Sequence, residues 1–246
     1  EGVTEHNTLI PSVTEAMVYP IPAVLYLVKN LLQYVIILYV DPPSYQVLKN
    51  LNIMSTGIMY RIFLKKPLSE VQWCALLLLA LGCTTAQLKS NSDNVFSTSM
   101  SGLSIAILMA ILSGGAGVYT ELIMKRRPQR NINAQNALLY FFGVAFNLLT
   151  MSLHGAHEFS EDGFFHGFST LVIAMIINHA LSGIAVSFVM KLANNIVKVY
   201  STAVAMILTS AVSIVFFGFR PSLPFFLGSS VVSVAIYLNY RSNPTR

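Results

Sequence analysis

Charge is scarce in this sequence. Of its 246 residues only 10% are Asp, Glu, Lys or Arg, where a soluble domain carries about 25%. So few charges cannot cover a globule with solvated surface, which excludes a soluble enzyme, a disordered protein and a nucleic-acid binder. Cysteine is nearly missing. Cys74 and Cys83 fall in one apolar stretch, so neither a disulfide framework nor a metal site follows from them. There is no phosphate-cradling glycine loop and no nucleophile beside an activating base. The expectation is therefore no catalytic residue, no metal and no cofactor. No Asn-x-Ser/Thr acceptor occurs, because Asn243 is followed by Pro244. The chain begins at Glu1 rather than Met, which reads as a fragment or a missing start, and its first residues do not form a signal peptide.

What remains is apolar. Hydrophobic residues make up 54% of the chain and the mean hydropathy is +0.64. This composition predicts an all-α polytopic membrane protein with the lipid bilayer as its solvent. A spanning helix needs about 20 mostly apolar residues. Eight stretches qualify, at 18–40, 44–64, 69–88, 101–124, 135–153, 169–190, 195–218 and 222–240. Asp41-Pro42-Pro43, Lys65-Lys66-Pro67 and Arg220-Pro221 read as turns, because proline fixes φ and ends helices. Residues 89–98 form a polar link, 125–133 a basic one, and 154–168 the longest and most acidic.

Charge asymmetry tests this count. With the first residue in the cytosol and the sides alternating, the cytosolic side receives Arg61, Lys65, Lys66, Lys125, Arg126, Arg127, Arg130, Lys191, Arg241 and Arg246. The other side receives Lys89 and Arg220. Ten basic residues against two is a positive-inside pattern, and it predicts that both ends of this chain face the cytosol. The net charge of +5 thus reports orientation. Segments 44–88 and 195–240 each read helix, basic turn with proline, helix. An odd number of helices puts the two turns on opposite faces, as an inverted repeat would, and that pattern points to a transporter.

A charge at the bilayer centre costs roughly 2.5–3.5 kcal/mol on insertion scales. Lys29, Lys49 and Lys198 all lie within predicted spans, without an equal number of acids. Glu121, near a helix end, is one turn from Lys125 and would pair with it. The lysine surplus must face water or an anionic ligand. Polar residues also recur at helical spacing. Tyr45, Lys49 and Asn52 share a face, as do Tyr26 and Asn30, Asn136 and Tyr140, and Asn194 and Lys198, with Asn195 and Ser201 nearby. Tyrosine stacks on a base, asparagine reads polar edges, and lysine offsets phosphate charge.

Each feature also has a structural reading. Tyrosines at helix ends form interfacial belts, asparagines bond across helices, and lysines near an interface snorkel. The small residues Ala106, Ala110 and Gly114, with Ser113 and Gly117 beside them, suit close helix packing. His179 reads as a hydrogen-bonded helix contact. His154, His157, Glu158, Glu161, Asp162 and His166 lack His-Glu-x-x-His spacing and read as a solvated loop.

Several stretches resemble the nucleotide-sugar transporters. They are Tyr45–Ile53, Leu68–Trp73, Ala116–Glu121, Gly163–Gly167 and, most closely, Asn194-Asn195-Ile196-Val197-Lys198-Val199-Tyr200-Ser201. Together they resemble the CMP-sialic acid and UDP-galactose transporters, especially a plant CMP-sialic acid transporter-like branch, in order over nearly the whole chain. The resemblance implies a drug/metabolite transporter fold of two inverted five-helix halves, with eight of ten spans present. On that reading 18–88 is the rest of the first half, 99–241 is the second, and 1–246 is one transmembrane domain. It implies a Golgi antiporter exchanging a nucleotide sugar for a nucleoside monophosphate, with no enzymatic activity and with a homo-oligomer left open.

Carried over by motif, the nucleotide contacts would be Tyr26, Asn30, Tyr45, Asn136, Tyr140, Asn195 and Lys198. The better-known CMP-sialic acid transporters have Lys where this chain has Asn52, Gln at Lys29, Ser at Phe142 and Asp at Asn194. The missing charge at Asn52 would be replaced by Lys49 and Lys29, which completes the expected set. Phe142 and Asn194 leave the sugar undetermined. The alternatives are a UDP-sugar transporter (UDP-galactose or UDP-N-acetylglucosamine), another small-anion exporter of this fold, a non-transporting membrane scaffold or receptor and, more distantly, a membrane enzyme.

Overall fold

A computed structural model describes residues 13–88, 99–154, 168–218 and 220–242, and among them there are helices and no strand. The helices are α1 (Val13–Ala16), α2 (Pro20–Ile36), α3 (Pro42–Leu48), α4 (Leu51–Leu64), α5 (Glu70–Gln87), α6 (Met100–Arg126), α7 (Ile132–His154), α8 (Thr170–Leu192), α9 (Asn195–Phe217) and α10 (Leu223–Ser242). Each stretch expected to span is mainly helical. The last five helices are long and apolar enough to cross a membrane by length and composition. The apolar helix α2 has 17 residues, and α5 has 18, with Glu70 and Gln87 at its ends.

The boundaries follow local chemistry. Asp41 caps α3 by accepting from the Ser44 amide at 3.2 Å, and prolines occupy the first turn. There a missing N–H costs nothing, because that donor has no partner within the helix. Ser69 and Gln72 form a reciprocal capping box at α5. Lys65 ends α4 in the left-handed region at φ 54, two residues before Pro67. Ser169 caps α8 through the Val172 amide.

The sequence pattern reads 44–64 as one helix, but the structure divides it. Lys49 and Asn50 keep helical dihedrals, yet the ladder tightens around them. The amides of Asn50, Asn52 and Ile53 bond the carbonyls of Val47, Lys49 and Asn50, three residues back. This is a short 3₁₀ turn inside a helix.

The chain forms two compact units. The first takes the described residues up to Leu27 and within Thr120–Asn194; the second takes those within Val28–Tyr119 and Asn195–Arg246. The core of the second unit joins Ile53 and Tyr60 of α4, Leu76, Leu79 and Cys83 of α5, Val118 of α6, Ile196, Val199 and Tyr200 of α9, and Val232 and Ala235 of α10. Its closest approach is between α5 and α10. A Cβ on Gly228 would lie 2.3 Å from the Ala86 amide nitrogen, and one on Gly82 would lie 2.9 Å from the Val232 amide nitrogen. Glycine is required there because the backbones touch.

Large apolar side chains are exposed along α8, among them Leu171, Ile173, Met175, Ile177 and Leu181. Such a surface suits lipid rather than water. Hydroxyls on the helices turn inward on their own backbone. Thr150, Ser187, Ser201, Ser210, Ser230 and Ser233 each donate to the carbonyl four residues back, at 2.9–3.0 Å. A hydroxyl in hydrocarbon must find its partner within the protein, and the helix supplies one.

Candidate functional site

In the second unit, the turn at Lys49 lies beside a cavity of about 70 Å³. Lys29 from α2, Tyr45 from α3, Lys49 and Asn52 line it, opposite Ala106 and Ser113 of α6. Four of the ten expected positions thus meet at one place. A 3₁₀ turn brings residues three apart onto one line of the helix, and Lys49 and Asn52 both line the cavity. The small residues of α6 serve two ends. Ala106 and Ala110 leave room for the cavity, while Gly114 lies against α4, where a Cβ would come within 2.8 Å of Ser55 Oγ.

The cations are clustered. Lys29 is within electrostatic reach of Lys49 and of Lys198, which stands on the first turn of α9. Lys29 Nζ donates to Gln33 Oε1 at 3.0 Å and to Asn30 Oδ1 at 3.3 Å. Both acceptors are neutral. Among the described residues none of these three lysines is ion-paired; the pairs present use Lys125, Arg127 and Arg130. Asn195 is buried beside Gly117, where a Cβ would lie 2.8 Å from Asn195 Nδ2. Asn30 is exposed and does not line the cavity. On the other side of α3, a larger cavity of about 590 Å³ is lined by Pro42, Pro43, Gln46, Gln87 and Arg220.

In the first unit, Tyr26 is hydrogen-bonded to the Thr120 side chain and lies near Tyr140. Tyr140 Oη packs on Gly183, where a Cβ would approach it to 3.0 Å. Asn136 is 4% exposed, and its Oδ1 accepts no hydrogen bond. A buried carbonyl oxygen without a donor is costly, so this atom is suited to a ligand's N–H or O–H. Toward the end of α6, Lys125 pairs with the fully buried Glu121 at 2.7 Å and also donates to the Ala193 carbonyl. Glu15 of α1 holds Arg127 at 2.9 Å and Arg130 at 3.3 Å.

Residues beyond the expected set take part. Gln33 holds Lys29 and is legible as its i+4 neighbour. Thr120 meets Tyr26 from a distant helix, which no spacing within α2 reveals. His179 bonds its own helix at the Met175 carbonyl, 2.9 Å away, in agreement with the reading as a helix contact. The whole polar link 89–98 and most of the acidic loop, including His157, Glu158, Glu161, Asp162, His166 and the motif Gly163–Gly167, lie outside the described residues.

Comparison with known proteins adds an independent line. Residues 3–240 match the nucleotide-sugar transporter family. A relative from Oryza sativa subsp. indica named CMP-sialic acid transporter 2 is 61% identical over 244 residues, 99% of this chain and 68% of the relative. CMP-sialic acid transporter 4 of Arabidopsis thaliana is 61% identical over 239 residues, 97% of this chain and 68% of the relative. A UDP-N-acetylglucosamine transporter of Canis lupus familiaris is 34% identical over 248 residues, 98% of this chain and 76% of the relative.

Proposed function

Because this chain belongs to the nucleotide-sugar transporter family, we propose that it carries a CMP-sugar across the Golgi membrane in exchange for a nucleoside monophosphate. The observation that carries this reading is the unpaired lysine trio of the second unit. Three ammonium groups with no carboxylate partner among the described residues form a site short of negative charge. A nucleotide's phosphate supplies that charge. Lys29, Lys49 and Lys198 offset it, Tyr45 offers an aromatic face, and Asn52 offers an amide beside Lys49. Asn30 and Asn195 are the further proposed contacts of the second unit, and Tyr26, Asn136 and Tyr140 those of the first.

The two relatives at 61% identity bear CMP-sialic acid in their names, which favours cytosine as the base. The positive-inside distribution supports cytosolic ends for this chain. No ATP-binding motif is present in the sequence, so the exchange gradient drives transport through alternating access. Nothing in this mechanism makes or breaks a covalent bond. The three-helix remainder of a first half-repeat and the complete second half at 99–241 stand as the proposed organisation.

The test is counterflow in proteoliposomes. Vesicles are preloaded with CMP, UMP, GMP or nothing, and uptake of labelled CMP and UMP is followed. The expected result is accumulation of labelled CMP only in CMP-loaded vesicles. Labelled UMP gathering in UMP-loaded vesicles would move the substrate to UDP-sugars, the reading that the 34% identical relative favours. No exchange with any nucleotide, from protein shown to be folded, overturns the transport reading and leaves a scaffold or receptor.

A further inference from the structure

We propose that Asn50 is a positioning residue that sets the direction of Lys49 through a hydrogen-bonded tie to α5. This deepens the reading above and rests on Lys49 meeting the nucleotide's charge.

The two neighbours face different ways. Lys49 lines the cavity with Lys29, Tyr45 and Asn52. Asn50 reaches across to α5, where its Nδ2 donates to Gln87 Oε1 at 3.0 Å and to Thr84 Oγ1 at 3.4 Å. The Gln87 amide is oriented in turn, because its Nε2 donates to Met206 Sδ of α9 at 3.5 Å. Each amide therefore has its oxygen and nitrogen assigned by a partner.

The anchor is firm. α5 meets α10 with its backbone at Gly82 in contact with Gly228, and close-packed backbones have no slack. The turn that Asn50 occupies is the reverse. Its three i→i−3 bonds have poorer geometry than the α-helical kind, and long runs of them are uncommon. Neither glycine nor proline stands at residues 48–53 to impose the turn. An outside restraint would hold it, and the Asn50 side chain supplies one from α5.

The geometry states what release would do. In the tightened turn Lys49 and Asn52 are eclipsed; in a continuous α-helix residues three apart diverge by about 60°. Losing the tie lets the turn relax to α-helix and swings Lys49 away from Asn52 and the cavity. Asn50 need not touch substrate to control its affinity.

The experiment measures labelled CMP exchange by the full chain in proteoliposomes, with half-saturation and maximal rate determined separately, for Asn50→Leu, Gln87→Leu, Lys49→Ala and Asn50→Leu/Lys49→Ala. We expect Asn50→Leu to raise half-saturation about 10-fold with little change in maximal rate. Gln87→Leu should shift it in the same direction by less. In the Lys49→Ala background Asn50→Leu should add nothing, because there is no ammonium left to aim. A purely structural role would lower the maximal rate and the amount of folded protein while leaving half-saturation alone, and that outcome overturns the proposal. Independent, multiplying effects of Asn50→Leu and Lys49→Ala overturn it as well. Unchanged half-saturation in Lys49→Ala itself removes the site reading, and the proposal with it. A change in Lys49→Ala with none in either Asn50→Leu or Gln87→Leu removes the proposal alone. Should Asn50→Leu fail to fold, Gln87→Leu decides.

Discussion

Gly228 faces Gly82 across α5 and α10 so closely that a Cβ on Gly228 would sit 2.5 Å from the Gly82 carbonyl oxygen. Both of the nearest groups at that point are backbone, which cannot rotate aside as a side chain can. Gly228→Ala is expected to separate the two helices and to cost at least the roughly 1–3 kcal/mol of an overpacked core. A thermal melt of the detergent-solubilised protein checks this, with Gly143→Ala as the comparison, since a Cβ there would meet nothing within 4 Å. Equal melting temperatures for the two variants would contradict the contact.

Lys49 and Asn52 line the same lysine cavity, and this makes a compensating pair testable. Losing a charged hydrogen-bonding group costs about 1.5–3 kcal/mol. Lys49→Ala should therefore raise the half-saturation concentration for CMP by roughly 10- to 100-fold. Asn52→Lys, which restores a charge one turn away, should recover most of that loss. Failure of the second substitution to recover affinity would mean that the two positions do not serve the same phosphate.

Glu121 and Lys125 predict an asymmetry. Glu121 is fully buried while Lys125 is 31% exposed. Removing the lysine takes the paired ammonium from a fully buried carboxylate, whereas removing the acid leaves an ammonium that can reach water and keeps its bond to the Ala193 carbonyl. Lys125→Ala should destabilise by up to about 3 kcal/mol, and Glu121→Gln by distinctly less. Denaturation of both variants in the same detergent measures the difference, and the reverse order would refute the argument.

The Asp41 cap ties stability to pH. The Ser44 side chain beside it and the Ser44 amide hold the Asp41 carboxyl below its ordinary range. A carboxyl depressed by folding contributes stability above its unfolded pKa of about 3.9, and the contribution is lost as pH falls through the lower, folded value. Asp41→Ala should cost roughly 0.5–2 kcal/mol at neutral pH. That gap should narrow in melts taken below about pH 4, and a gap independent of pH would show that the cap works through shape alone.

Much of the architecture is legible in the sequence, for a physical reason. In a bilayer each span must be helical and apolar over its whole length, so hydropathy alone locates helices. The site was legible in part. Lys49 and Asn52 share a face by spacing, and the structure keeps them together. The break after α3 was hidden, since Lys49 and Asn50 keep helical dihedrals and no glycine or proline marks it. Its partner, Gln87, lies 37 residues away, and a hydrogen bond of that range leaves no periodic trace. Tyr26 and Thr120 are hidden from each other for the same reason. Asn30, which shares a face with Tyr26 by spacing, is exposed and accepts from Lys29, its neighbour in sequence.

The clasp of Glu15 by Arg127 and Arg130 has a consequence for biosynthesis. The acid leaves the ribosome more than a hundred residues before either arginine. At roughly 5–20 residues per second, Glu15 waits on the order of ten seconds for its partners. Until then its carboxylate lacks both arginines. Glu15 and α1 therefore settle late, after α6 has been threaded, although they are made before it.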